Sequence, residues 1–204
     1  MTKIFLAVSM IVFFAACSGN SSTPAAEQNE SASEEKDTSF FPVTNFLKGQ
    51  MSEVDSLQVN FLHTITINGK TDSVWEKQAF AKPFLQPFFA EEINEKNRLA
   101  LFKSSKFQDQ TINTVTFTYD PVKPLPDSVN LRHWDLYINP ETGKVIKIYM
   151  VRQMNDGGKN YTQQLTWKAG ESAGINTLLN NPDGSVTLLK EEKLIWRFTD
   201  PLNK

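Results

Sequence analysis

The chain predicts an α+β fold: an antiparallel β-sheet of about 7–8 hairpin-connected strands, with two N-terminal helical segments packed on one face. Three observations lead there. Apolar residues recur at helical spacing just after Pro42. From Thr111 onward, short segments of alternating apolar and polar residues are separated by turn residues. Nowhere do strands alternate with crossover helices, as a parallel sheet requires.

The elements follow in order. Val43, Phe46, Leu47, Met51 and Val54 line one side of a helix over about 42–53, with Pro42 in its first turn, where a missing N–H costs little. VNFLHTITINGKTDSVWEK then forms a hairpin about Asn68-Gly69, because both residues accept the positive φ of a two-residue turn. On its first strand Val59, Phe61, His63, Ile65 and Ile67 share a face. Ala79 to Lys103 reads as helical, interrupted by Pro83 and Pro87, with Phe89, Ile93, Leu99 and Phe102 apolar and Glu91, Glu92, Glu95 and Lys96 on a solvated face. Val115, Phe117 and Tyr119 alternate with threonines in the next strand. After the loop YDPVKPLPDS come LRHWDLYIN and KVIKIYMVRQ, joined by Pro140-Glu141-Thr142-Gly143. NYTQQLTWKA, INTLL, SVTLLK and KLIWRF complete the sheet, turning at Gly157-Gly158, GESAG and Asn181-Pro182-Asp183-Gly184. His133 falls on the face of Leu131, Asp135 and Tyr137, and Tyr161, Thr162, Gln163 and Gln164 make a polar patch on the sheet.

Composition excludes several classes. The length of 204 residues suits one domain plus processing segments. A net charge of −2 with mixed signs leaves no basic footprint for nucleic acid. The single cysteine, Cys17, excludes an internal disulfide and a multi-cysteine metal site. No P-loop, GxGxxG, HExxH, EF-hand loop or CxxC occurs, so no cofactor and no metal is expected.

The first residues carry the strongest signal. Lys3 is followed by an apolar run, Ile4 to Phe14, too short for a membrane span of about 20 residues. It reads as a secretory signal over residues 1–16. Phe14-Ala15-Ala16-Cys17 resembles the lipobox of bacterial lipoproteins, with Phe14 where an aliphatic residue is usual. The resemblance implies cleavage before Cys17 and acylation of that cysteine; ordinary signal cleavage after Ser18 is the alternative. Several acyl chains would anchor the chain firmly, since each buried methylene contributes about 0.8 kcal/mol. Under the lipoprotein resemblance, Ser18, where Asp would signal inner-membrane retention, implies the outer membrane, and the lack of an acid-rich patch directly after Cys17, the first acid being Glu27, implies a protein facing the periplasm. Residues 17–38 are polar and low in apolar content, hence a tether that as a flexible coil of roughly 22 residues reaches about 25 Å. Residues 39–204 form the single envelope domain.

Two further constellations bear on chemistry. Gly170-Glu171-Ser172-Ala173-Gly174 spells G-x-S-x-G, the nucleophile elbow of serine hydrolases. Such a serine needs a histidine base, which follows it in that fold, yet His63 and His133 both precede Ser172. The motif therefore reads as a turn, with Gly170 and Gly174 bending the chain between two strands. Glu91, Glu92 and Glu95 could suggest a metal site, but no histidine accompanies them, and they read as helix surface. His63, among apolar neighbours, reads as a satisfied core or edge histidine rather than a catalytic or metal-binding one.

The body, from FFPVTNFLKGQMSEVDS through WDLYINPETGKVIKIYM, resembles a group of Bacteroidetes lipoproteins to which no activity attaches. The second of these stretches alone also resembles strands of PepSY-type domains. The expectation is a lipid-anchored, non-catalytic envelope module, not an enzyme, held to the membrane by acylated Cys17 and binding another envelope protein. A carrier of lipid or another hydrophobic ligand in a half-open sheet is the alternative, and a serine hydrolase through GESAG a distant third.

Overall fold

The first described element, α1 (Val43–Ser56), is a helix because Val43, Leu47, Met51 and Val54 fall on one stripe, of which Val43, Leu47 and Val54 are buried. The computed structural model describes residues 40–91, 100–109 and 111–197. The signal, the tether and Cys17 lie outside them, as do Glu92, Ile93, Glu95, Lys96 and Leu99. Pro42 stands one position before the helix and accepts from the Phe46 amide at 3.0 Å. A hairpin follows, β1 (Phe61–Ile67) and β2 (Lys70–Glu76). Its turn is the predicted one: Asn68 and Gly69 both take positive φ, 51° and 74°. Next comes α2 (Gln78–Leu85), with Pro83 inside it, continued by a 3-10 turn at Gln86–Phe89 that begins around Pro87.

Seven strands complete the body: β3 (Phe102–Asp109), β4 (Thr114–Pro121), β5 (Leu131–Ile138), β6 (Val145–Asp156), β7 (Lys159–Lys168), β8 (Ser172–Asn180) and β9 (Val186–Ile195). Together with the hairpin they make one antiparallel sheet of nine strands, in the order β2-β1-β9-β8-β7-β6-β5-β4-β3. The strand count exceeds the expected 7–8 for an identifiable reason. Phe102 and Lys103, expected to end a helix, open β3 instead. As an edge strand with one buried apolar side chain, β3 shows no period-2 signal. In the opposite direction, SVTLLK and the start of KLIWRF are one strand, β9. The register slips between β8 and β9 at Thr177/Leu178, which breaks the alternation in the sequence.

Residues directly opposite across an antiparallel pair share a face, so the register gives the core. One inner row runs His63, Leu194, Ala173, Trp167, Ile148, Leu136. The next runs Ile175, Leu165, Met150, Trp134, Tyr119. Residues of α1, α2 and the 3-10 turn join these rows in one buried cluster. Aromatic rings fill it. Tyr119 stacks on Trp134 at 4.6 Å, Phe102 meets the same indole edge-on, and Phe88 and Trp196 pack on Trp167 at 5.3 and 5.6 Å.

Trp167 has no solvent exposure, whereas Phe107 on the edge strand is 64 % exposed. Trp167→Ala is therefore expected to lower unfolding free energy in urea by about 3–5 kcal/mol. Phe107→Ala should change it by less than about 0.5 kcal/mol. Comparable losses for the two variants would contradict this account of the core.

Candidate functional site on the outer face of the sheet

Because the helices pack on the inner face, chemistry accessible from solvent concentrates on the other. The outer side chains of β4, β5 and β6 meet around His133. Its Nδ1 lies 2.8 Å from the Asp120 carboxylate and its Nε2 lies 3.1 Å from that of Asp135. Thr118 donates to Asp135 at 2.7 Å, and the Tyr137 hydroxyl reaches it at 3.4 Å. Tyr149 meets the imidazole edge-on, and the Lys147 ammonium sits 3.5 Å from the centre of the Tyr137 ring.

With a carboxylate on each ring nitrogen, His133 is an imidazolium. The hydrogen bond to Asp135 raises its pKa most; burial opposes this and Asp120 adds to it, for a value of about 9. Burial pushes Asp135 upward, but hydrogen bonds from His133 and Thr118 hold it below the usual carboxylate value. Tyr137 and Tyr149 are raised, first by burial and then by the charge of Asp135. A histidine in this state is no general base near neutral pH. It links three strands, with Tyr149 against its ring, and its charge is outweighed by the two carboxylates that hold it.

The sequence placed His133 with Asp135 and Tyr137, and that grouping is found. Leu131, expected beside them, instead enters the core at 1 % exposure. A bulge between Leu131 and His133 inserts Arg132 as an extra residue and reverses the alternation. Asp120 was missed, because only cross-strand register brings it to the imidazole. Of the proposed patch, Tyr161 and Gln163 face inward and Thr162 and Gln164 outward.

His63 lies on the inner face, 3 % exposed, between the rings of Phe80 and Phe84 at 4.7 and 5.4 Å. It is a core histidine, but not a satisfied one. Its Nε2 stands 3.6 Å from Glu192, too far for a hydrogen bond, and Lys190 holds that carboxylate at 2.9 Å. Glu91 is not helix surface either, since its carboxylate accepts from the backbone amides of Asn130 and Leu131 at 2.6 and 2.8 Å. Among the described residues no group of three His, Cys, Asp or Glu could hold a metal ion.

KAGESAG joins β7 to β8. Gly170 takes φ +70°, and its amide donates to the Gln50 side chain of α1 at 2.8 Å. Gly174 is not part of the bend but lies within β8. Ser172 opens that strand on the outer face, paired with Lys168. His63 is on the opposite face, and His133 is three strands away at about 4.8 Å per strand. The serine of this motif thus meets neither histidine. Compared with known proteins, the chain matches no family model, no curated protein and no solved structure.

The raised pKa of His133 fixes a sign. Its stabilisation is fully present below the unfolded value of about 6.5 and is lost as pH rises through about 9. Unfolding free energy should fall by about 1–2 kcal/mol over that window, the discount on the full linkage reflecting partial exposure. In Asp135→Asn the loss should shrink and the imidazole carbon-bound proton resonances should titrate at lower pH. An unchanged midpoint in that variant would disprove the pairing.

Proposed function

We propose that this chain is a lipid-anchored envelope protein, non-catalytic, whose outer sheet face binds another envelope protein. The observation that carries the binding role is the division of the sheet: helices cover one face, and the other is a polar surface of Tyr, Thr, Gln, Asn and Lys with two part-exposed tyrosines. The aromatic core is filled, which favours binding at a surface over carriage inside the sheet. The anchor rests on Phe14-Ala15-Ala16-Cys17 and the polar segment after it. Among the described residues no helix is long and apolar enough to cross a membrane.

One observation favours the carrier reading. An open groove of about 580 Å³ lies at one end of the sheet, with Phe41, Phe46, Val145 and Ile146 among its lining residues. Its openness and its place outside the core make it a weaker case than the sheet face. Lipid that co-purifies with the protein and is lost in Phe46→Ser would favour it.

Two measurements test the proposal. Intact mass of the membrane-extracted protein should show a chain beginning at Cys17 with acyl groups. A chain beginning after Ser18, or a Cys17→Ala variant still retained in the membrane, would remove the anchor. A photo-crosslinker at Gln164 or Tyr149 in intact envelopes should capture one defined protein that a crosslinker at Lys82, exposed on α2, does not. Capture of lipid alone, or the same capture from all three positions, would remove the binding role.

A further inference from the structure

The three middle strands carry a row of amides at one end. Asn155, Asn160 and Asn180 are directly opposed across β6, β7 and β8, on the outer face. Asparagine is depleted in strands, because its side chain offers the backbone alternative hydrogen bonds. Here the side chains bond across the strands instead. The Asn155 amide donates to the side-chain oxygen of Asn160 at 2.9 Å, and the Asn180 amide donates to the Thr162 hydroxyl at 2.9 Å. The row lines a cavity of about 670 Å³, within the roughly 300–1,000 Å³ range of ligand sites. The loop between β4 and β5 brings Asp127 and Asn130 to the same cavity. That loop is pinned: the Asn130 carbonyl accepts from the Gln153 amide at 2.8 Å, and the Asn130 amide donates to Glu91 at 2.6 Å.

Arg132 supplies the observation that points to an occupant. It is the extra residue of the bulge in β5, and it lines this cavity. Bulges re-aim side chains beside functional sites. The Nε of Arg132 is buried and has no hydrogen-bond partner among the described residues. A guanidinium N–H left unpaired away from water carries a desolvation cost, which an acceptor inside the cavity removes.

The rest of the lining says what kind of acceptor fits. Arg132 is balanced by the Asp127 carboxylate, and the other polar groups are uncharged amides, so the cavity suits a neutral ligand over an anion. The Asn155–Asn160 bond uses one donor and one acceptor, and it leaves the Asn155 oxygen and an Asn160 N–H side by side. A hydroxyl is donor and acceptor at once, so a ligand rich in hydroxyls pairs with both. Met154 adds an apolar surface for the C–H face of a ring. We infer that this cavity binds a neutral sugar, with Arg132, Asn155 and Asn160 hydrogen-bonded to its hydroxyls. The site does not depend on the protein partner proposed for the same face.

The test is a ¹H–¹⁵N titration of the full chain in a sugar-free non-ionic detergent, reading the side-chain amides and the arginine Nε–H groups. The probes are glucose, galactose, mannose and N-acetylglucosamine, each as the free sugar and as a short oligosaccharide. Sodium acetate at matched ionic strength is the charged comparison. Saturable shifts of Asn155, Asn160 and the Arg132 Nε–H are expected with at least one sugar, and none with acetate. Saturation by a free sugar assigns a monosaccharide, and saturation by an oligosaccharide alone assigns a glycan chain. Arg132→Gln and Asn160→Ala should each weaken binding by at least about tenfold, as a hydrogen bond is lost with its partner left unpaired. Lys82→Ala, exposed on α2, should leave the affinity unchanged. Tighter binding of acetate than of any sugar, no saturable shift with any of these sugars, or full affinity in either folded cavity variant would overturn the site.

Discussion

Everything in this domain depends on one face of the sheet staying apolar from β1 across to β4. Antiparallel pairing makes that a strict condition, since a slip of one residue on any strand would exchange its buried and exposed side chains. The condition is met by an unbroken row of opposed residues in which Trp167 and Ile148 stand beside Leu136, Ala173 and Leu194. Helices that carry Leu47, Leu85 and Phe88 can cover only that face, which leaves the other to solvent. The polar outer surface is thus the counterpart of the core, and its chemistry follows from the same alternation.

Much of this was legible in the residues. Asn68-Gly69 fixed the first hairpin because few residue pairs accept its backbone angles. The stripe in α1 and the alternation in β4 located their buried sides directly. What escaped were features that depend on a neighbour. β3 pairs with one strand and buries almost nothing, so its sequence carries no alternating signal. The bulge at Arg132 sent Leu131 inward against a simple count by twos. Glu91 looked like solvated helix surface, because its partners are backbone amides nearly forty positions away. Asp120 reached His133 by register across the Pro-rich loop, which no local pattern encodes.

The G-x-S-x-G segment illustrates how one short sequence serves two physical ends. Its bend is tied into the domain at several points: the Gly170 amide binds Gln50 of α1, and the Glu171 carbonyl accepts from the amides of Trp196 and Arg197. Its second half continues as a strand, where small residues keep the outer surface indented. A motif associated with catalysis acts here as a clasp between helix and sheet. The charged group that does organise the outer face, His133, is held by two carboxylates as a fixed cation instead of a proton shuttle.

The order of strands also bears on how the chain reaches this state. The N-terminal hairpin, though formed by a local turn, finds its other neighbour only in β9, the last strand of the sheet, with His63 set against Leu194. Pairing across nearly the whole domain carries a large loop-closure cost and slows folding. During synthesis, the free edge of β1 must therefore wait until the final strand has emerged. Until then one edge of β1 and one edge of the growing meander stay unpaired, the condition in which chains associate wrongly. A domain wired in this way closes its sheet in one late step, when the final strand joins the first hairpin to the meander.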